Sequence, residues 1–215
     1  MLFPVSLNQE RRLYAEEVAE LCKQNYVPHN LLATFKIDGY LDISALEKTL
    51  NMIIMRHSGL RTAFFRQIKG INKEYMEALR EFLLSGKYPT NLYAQRIVEN
   101  THINLNIISG TDQQKYEERI REIVESAIAQ PFNYANPPFM RAYLCESTSA
   151  PLLIMVLHHH IFDMWSISLL HNEISVIYNA LCTGKNIEYP IINKGYTDYA
   201  LLQRRQEKIS GYKNN

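Results

Sequence analysis

The segment His158-His159-His160-Ile161-Phe162-Asp163-Met164-Trp165-Ser166 gathers three imidazoles and a carboxylate in one short stretch. Imidazole, with an ordinary pKa of roughly 6.5, gives and takes protons near neutrality. Beside a carboxylate it suits general acid–base chemistry. The flanking residues say how such a cluster would be held. Leu152-Leu153-Ile154-Met155-Val156-Leu157 is an unbroken apolar run, which predicts a strand covered on both faces. Ile167, Leu170, Ile174, Ile177 and Leu181 then recur at helical spacing, with Ser166 or Asp163 placed to cap the helix. The cluster is therefore expected at a strand-to-helix turn. Adjacent strand residues point to opposite faces, so His158 and His160 would share one. No third ligand follows at a telling spacing, and no metal is expected.

Bulk properties exclude more than they assign. With 215 residues, 47% hydrophobic and 21% charged, the chain can bury one sizeable core. A net charge of +1 and the lack of a Lys/Arg stripe argue against a nucleic-acid or membrane partner. Cys22, Cys145 and Cys182 are isolated, without the CxxC spacing of a zinc site or the density of a disulfide framework. The N-terminus has neither the basic nor the apolar region of a secretory signal, and no apolar run reaches the roughly 18 residues of a membrane span. These features predict a cytoplasmic chain.

Capping-box patterns at Ser6/Gln9, Ser44/Glu47 and Thr111/Gln114 predict helix starts. Helical stripes follow two of them, Leu46/Leu50/Ile53/His57 and Tyr116/Ile120/Ile123/Ala127. Strands are expected near 31–37, 60–66, 92–98, 103–108, 139–145 and 152–158. Strands interleaved with helices predict an α/β layered fold. No linker or repeat divides residues 1–215, so one domain is expected, with Lys73 to Leu84 forming an extra helix within 70–90.

The ordered motifs carry a resemblance. His158-His159, Asp163 and Trp165-Ser166 are similar to the HHxxxDG signature of nonribosomal peptide synthetase condensation domains. Ser6 to Leu13 resembles the family's first motif, Arg56-His57-Ser58-Gly59-Leu60-Arg61-Thr62-Ala63-Phe64 its RHxxLRTxF segment, and Tyr196-Thr197-Asp198-Tyr199-Ala200 its YxDYA motif. Pro131-Phe132 with Pro138-Phe139-Met140-Arg141 resembles the stretch before the catalytic strand. Two positions depart from the pattern: Met164 replaces a Gly, and Leu202 stands near a usual aromatic residue.

The resemblance implies a lobe like that of chloramphenicol acetyltransferase, one of two that enclose a tunnel. All the matched motifs belong to the first lobe, so the sequence is expected to be an N-terminal half, with residues 70–90 an insertion where the family has a short hairpin turn. It implies amide formation between a thioester donor and an amine acceptor, both on the phosphopantetheine arms of carrier proteins, with no cofactor bound by the domain itself. If Met1 is the native start, the donor would arrive from another protein or as an acyl thioester. Partners would be the donor and acceptor carrier proteins and a C-terminal lobe. By position, His159 is the expected catalytic residue, as base or amine-positioning group. His158, Asp163, Arg56 and Arg61 would support the motif, Asp163 pairing with one of the arginines. Gln9, Met164 and Trp165 would be candidates to line the tunnel. The alternatives are a noncatalytic scaffold or docking domain, or a related acyltransferase of the same superfamily. The isolated half is expected to be inactive.

Overall fold

The computed structural model describes residues 1–21, 28–67, 73–86, 91–110, 113–146, 150–187 and 192–210. In chain order the elements are β1 (Phe3–Pro4), α1 (Leu7–Leu21), β2 (Asn30–Lys36), α2 (Ile43–Arg56), a 3-10 turn (Ser58–Arg61), β3 (Thr62–Arg66), α3 (Lys73–Ser85), β4 (Tyr93–Ile97), β5 (Leu105–Ile108), α4 (Gln113–Ala129), β6 (Met140–Cys145), β7 (Leu152–His158), α5 (Met164–Thr183) and α6 (Tyr196–Ser210). All six expected strands form, and the helix expected at 73–84 is α3. No helix among the described residues is long and apolar enough to cross a membrane.

The chain divides into two compact units. One comprises Pro28–Arg61 and Glu99–Ile191. Its sheet has the order β2-β7-β6-β5, with β7 antiparallel to β2 and β6, and β5 parallel to β6. Leu153, Met155 and Leu157 of β7 join a buried cluster with Leu46, Leu50 and Ile53 of α2 and Leu170, Ile174 and Ile177 of α5. Ile154 turns the other way, toward Tyr116 and Ile120 of α4. Both faces of β7 are therefore covered, which is why its apolar run does not alternate.

Three local expectations are corrected. α2 is capped by Asp42, whose Oδ1 accepts from Ala45 N at 2.9 Å, and not by a Ser44/Glu47 box. Glu47 instead accepts from Leu105 N at 2.9 Å, so its carboxylate serves a neighbouring strand and not its own helix start. Strand β5 begins only at Leu105, because Asn51 takes both backbone groups of Ile103 in hydrogen bonds of 2.9 and 3.0 Å. The strand expected from residue 60 starts at Thr62, after the 3-10 turn. The Thr111/Gln114 box lies outside the described residues.

The other unit comprises Met1–Val27, Thr62–Val98 and Ile192–Asn215. Its sheet is β1-β4-β3, all antiparallel. The Ser6/Gln9 box forms as expected: Ser6 N donates to Gln9 Oε1 at 2.9 Å, and Gln9 N to Ser6 Oγ at 3.2 Å. Buried Arg204 of α6 pairs with Glu10 of α1 and donates to Val5 O at 2.9 Å, while Glu10 accepts from Leu92 N at 2.7 Å. Helix α3 is seated through aromatic contacts, with Tyr14 edge-on to Tyr75 and Phe82 at ring separations of 6.4 and 5.3 Å. Tyr196 of the YxDYA-like motif reaches Ser6 Oγ at 3.0 Å, and Ala200 is fully buried, so this motif builds the unit's core.

Candidate active site

Strand β7 delivers the histidines to the point where it must end. His158 N donates to Phe139 O at 3.0 Å and His159 N to His29 O at 2.9 Å, so β7 is held from both sides to its last residues. The chain then turns, with Phe162 N donating back to His158 O at 3.2 Å, and α5 starts at Met164.

His158 is 1% exposed and enclosed by rings. Phe132, Tyr134 and Phe139 stand edge-on to it at 5.7, 5.4 and 6.2 Å, and His160 lies at 4.4 Å. Its Nδ1 accepts from His160 N at 3.1 Å and lies 2.8 Å from His160 Nδ1, while Nε2 is 3.4 Å from Tyr134 Oη. The motif that precedes β7 thus supplies the walls of this pocket. Arg141 braces it, stacked over Phe132 at 3.8 Å and donating to the carbonyls of Ala127, Gln130 and Pro131. His158 and His160 are buried parts of the turn.

His159 differs from both. It is only half-buried, and its Nδ1 lies 2.7 Å from Phe162 O. A carbonyl oxygen can only accept, so Nδ1 carries a proton, and in the neutral ring the lone pair lies on Nε2. Among the described residues, nothing hydrogen-bonds to Nε2. The ring is oriented at one nitrogen and available at the other.

Asp163 is the N-cap of α5: its Oδ1 accepts from Ser166 N at 2.7 Å and from Ser166 Oγ at 2.6 Å. These bonds, led by the hydroxyl, hold its carboxyl below the usual carboxylate range. The expected pairing with an arginine is not formed, because Asp163 is exposed and Ser166 engages it instead. Arg56 donates through Nε to Glu173 Oε1 at 3.2 Å, and His57 Nε2 lies 2.6 Å from Glu173 Oε2. Arg61 closes the end of α2, donating to Ile54 O and Met55 O at 3.1 Å each. Glu173 is not among the residues to which the motifs point. Its position three residues after Leu170, on the buried stripe of α5, marks a charge needing a partner.

Gln9 is 3% exposed and committed to the capping box, so it serves the fold and does not line an opening. Met164 and Trp165 are 75% and 76% exposed on the first turn of α5. Met164 begins the helix without a positive φ, so the backbone here does not require the freedom of Gly.

The sequence profile described as "Condensation domain" matches residues 2–214. The chain belongs to the condensation domain family. Curated relatives include a linear gramicidin synthase from Brevibacillus parabrevis, 26% identical over 94% of this chain and 2% of that protein. N-(5-amino-5-carboxypentanoyl)-L-cysteinyl-D-valine synthase from Penicillium rubens is 28% identical over 95% of this chain and 5% of the relative. Among solved structures, the starter condensation domain of rhizomide synthetase superposes with a TM-score of 0.74 at 17% identity, covering 98% of this chain and 45% of that one. The X-domain in its complex with OxyB from teicoplanin biosynthesis gives 0.73 at 19% identity, covering 98% and 39%. The condensation fold is therefore present, and this chain spans less than half of the solved chains and a small fraction of the curated relatives it matches.

Proposed function

We propose that residues 1–215 are the N-terminal lobe of a nonribosomal peptide synthetase condensation domain. Completed by a C-terminal lobe, it forms an amide between a carrier-bound acyl or peptidyl thioester and an amine. The observation that carries this reading is the His159 ring, fixed through Nδ1 at 2.7 Å from Phe162 O with Nε2 left open. An α-amine, with an ordinary pKa of roughly 8, must be unprotonated to attack. Nε2 accepts the proton from the attacking nitrogen as the C–N bond forms. The C–S bond then breaks, and the proton passes to the departing thiolate.

Asp163 fixes the turn by capping α5, and the buried His158 supports it. Donor and acceptor carrier proteins present the substrates on phosphopantetheine arms, the domain itself binds no cofactor, and the work is done in the cytoplasm. The 70–90 segment that contains α3 is an insertion within the lobe. Without the second lobe the chain is inactive.

The test is amide formation from loaded donor and acceptor carriers, with the 215-residue chain alone and with an added C-terminal lobe. Product only in the second case supports the reading. Product from the chain alone contradicts the need for two lobes, and no product in either case supports the second reading, a noncatalytic docking scaffold. That second reading draws on Met164, an exposed side chain where the family pattern has Gly, and on the X-domain's complex with OxyB.

A further inference from the structure

Phe162 is held at three points. Its side chain is 5% exposed and belongs to the buried cluster that α2, β7 and α5 share. Its N–H donates to His158 O at 3.2 Å, and its carbonyl oxygen accepts from His159 Nδ1 at 2.7 Å. Among residues 161–163, only Phe162 is buried. Its carbonyl lies past the end of β7 and before the first carbonyl of the α5 ladder, Asp163 O, which accepts from Ile167 N at 3.0 Å. No ladder holds that oxygen in place. The ring, seated in a close-packed core, supplies the restraint.

The consequence is chemical. In an unconstrained histidine side chain the neutral ring prefers its proton on Nε2, which leaves the lone pair on Nδ1. An acceptor 2.7 Å from Nδ1 reverses that preference. An N–H···O bond weakens steeply once its length and angle leave the ordinary range, so the oxygen has little room to move. Resting on the amide-forming reading, we propose that Phe162 is a positioning residue for that reaction: the packing of its ring fixes its carbonyl oxygen, and that oxygen leaves Nε2 of His159 as the basic nitrogen. Phe162 acts without touching either substrate. A truncated side chain lets the carbonyl relax and the proton return to Nε2. The open nitrogen then becomes a donor where the reaction needs an acceptor.

The experiment reads the imidazole nitrogens of His159 by NMR in the 215-residue chain, across the ring's titration so that the neutral form is seen directly. The wild-type neutral ring is expected to show a protonated Nδ1 and a bare Nε2. Phe162→Ala should move the proton toward Nε2, and Phe162→Leu, which refills most of the space, should restore the wild-type pattern. Ile177→Ala removes a fully buried side chain from the same cluster, further along α5, and should leave the nitrogens as they are. With a C-terminal lobe and loaded carriers, Phe162→Ala is expected to lower the single-turnover rate by about ten- to a hundredfold, with Ile177→Ala near wild type. An unchanged tautomer in a folded Phe162→Ala, or an equal change in Ile177→Ala, overturns the assignment to Phe162 and leaves the amide-forming reading standing. Should Phe162→Ala fail to fold, the smaller truncation Phe162→Val takes its place under the same criteria. A wild-type neutral ring protonated at Nε2, or a tautomer that switches while the rate holds, contradicts this proposal and the role of Nε2 as base together.

Discussion

Nδ1 of His159 and the carbonyl oxygen of Phe162 lie 2.7 Å apart, and this single contact separates His159 from the two histidines that flank it. It fixes the tautomer of the neutral ring from inside the turn, so which nitrogen stays open is set by backbone geometry and not by a neighbouring acid. His158 engages both ring nitrogens, and His160 its Nδ1, within the buried turn. Three adjacent imidazoles thus divide into one available and two structural.

That division makes His158 a stability residue. His158→Ala removes a ring packed among Phe132, Tyr134 and Phe139 and leaves His160 N without its acceptor. A loss of about 2–4 kcal/mol is expected, read as a lowered urea midpoint at unchanged slope. A His158→Ala chain as stable as the wild type would show that the ring enclosure contributes little.

Asp163 separates by substitution. Asp163→Ala removes the cap of α5 and should cost about 0.5–2 kcal/mol, whereas Asp163→Asn should keep most of it. The sign with pH follows from the depressed carboxyl: the unfolded chain binds the proton more readily, so this contribution is full above the unfolded value of roughly 3.9. It is lost as pH falls through the lower folded value. Thermal melts of wild type and Asp163→Asn should therefore converge as pH falls through that depressed folded value. A gap that widens on acidification would contradict the assignment.

Glu173 ties α5 to the end of α2 through Arg56 and His57. Glu173→Ala removes the carboxylate that bonds a largely covered arginine, and a cost of about 1–3 kcal/mol is expected in chemical denaturation. A double-mutant cycle with Arg56→Ala should return a coupling energy that a merely additive pair would not show.

Much of this is legible in the sequence because periodicity carries packing information. The unbroken run of β7 reports burial on two faces, the stripe of α5 reports burial on one, and Ser6 with Gln9 encodes its own cap. What stays hidden depends on which partner wins among several chemically equal ones. Asp42 and Ser44 can both cap a helix, and the observed cap leaves Glu47 to bond a strand distant in sequence. Arg56 can serve any carboxylate, and Glu173 is the one that folding brings to it. Asp163 looks in the sequence like a buried acid needing an arginine; its exposure removes that need, and a hydroxyl three residues on suffices. Burial at Gln9 is concealed for the converse reason, since a polar residue near a motif looks available until its cap is seen closed.

The most direct measurement is single-turnover amide formation by the chain joined to a C-terminal lobe, with loaded donor and acceptor carriers, comparing wild type with His159→Ala. Because His159 is half-buried and packs through one backbone contact, its loss should leave the melting temperature nearly unchanged. The rate is expected to fall by about two to four orders of magnitude. A His159→Ala protein that forms the amide at the wild-type rate would contradict the placement of the reacting centre at this residue.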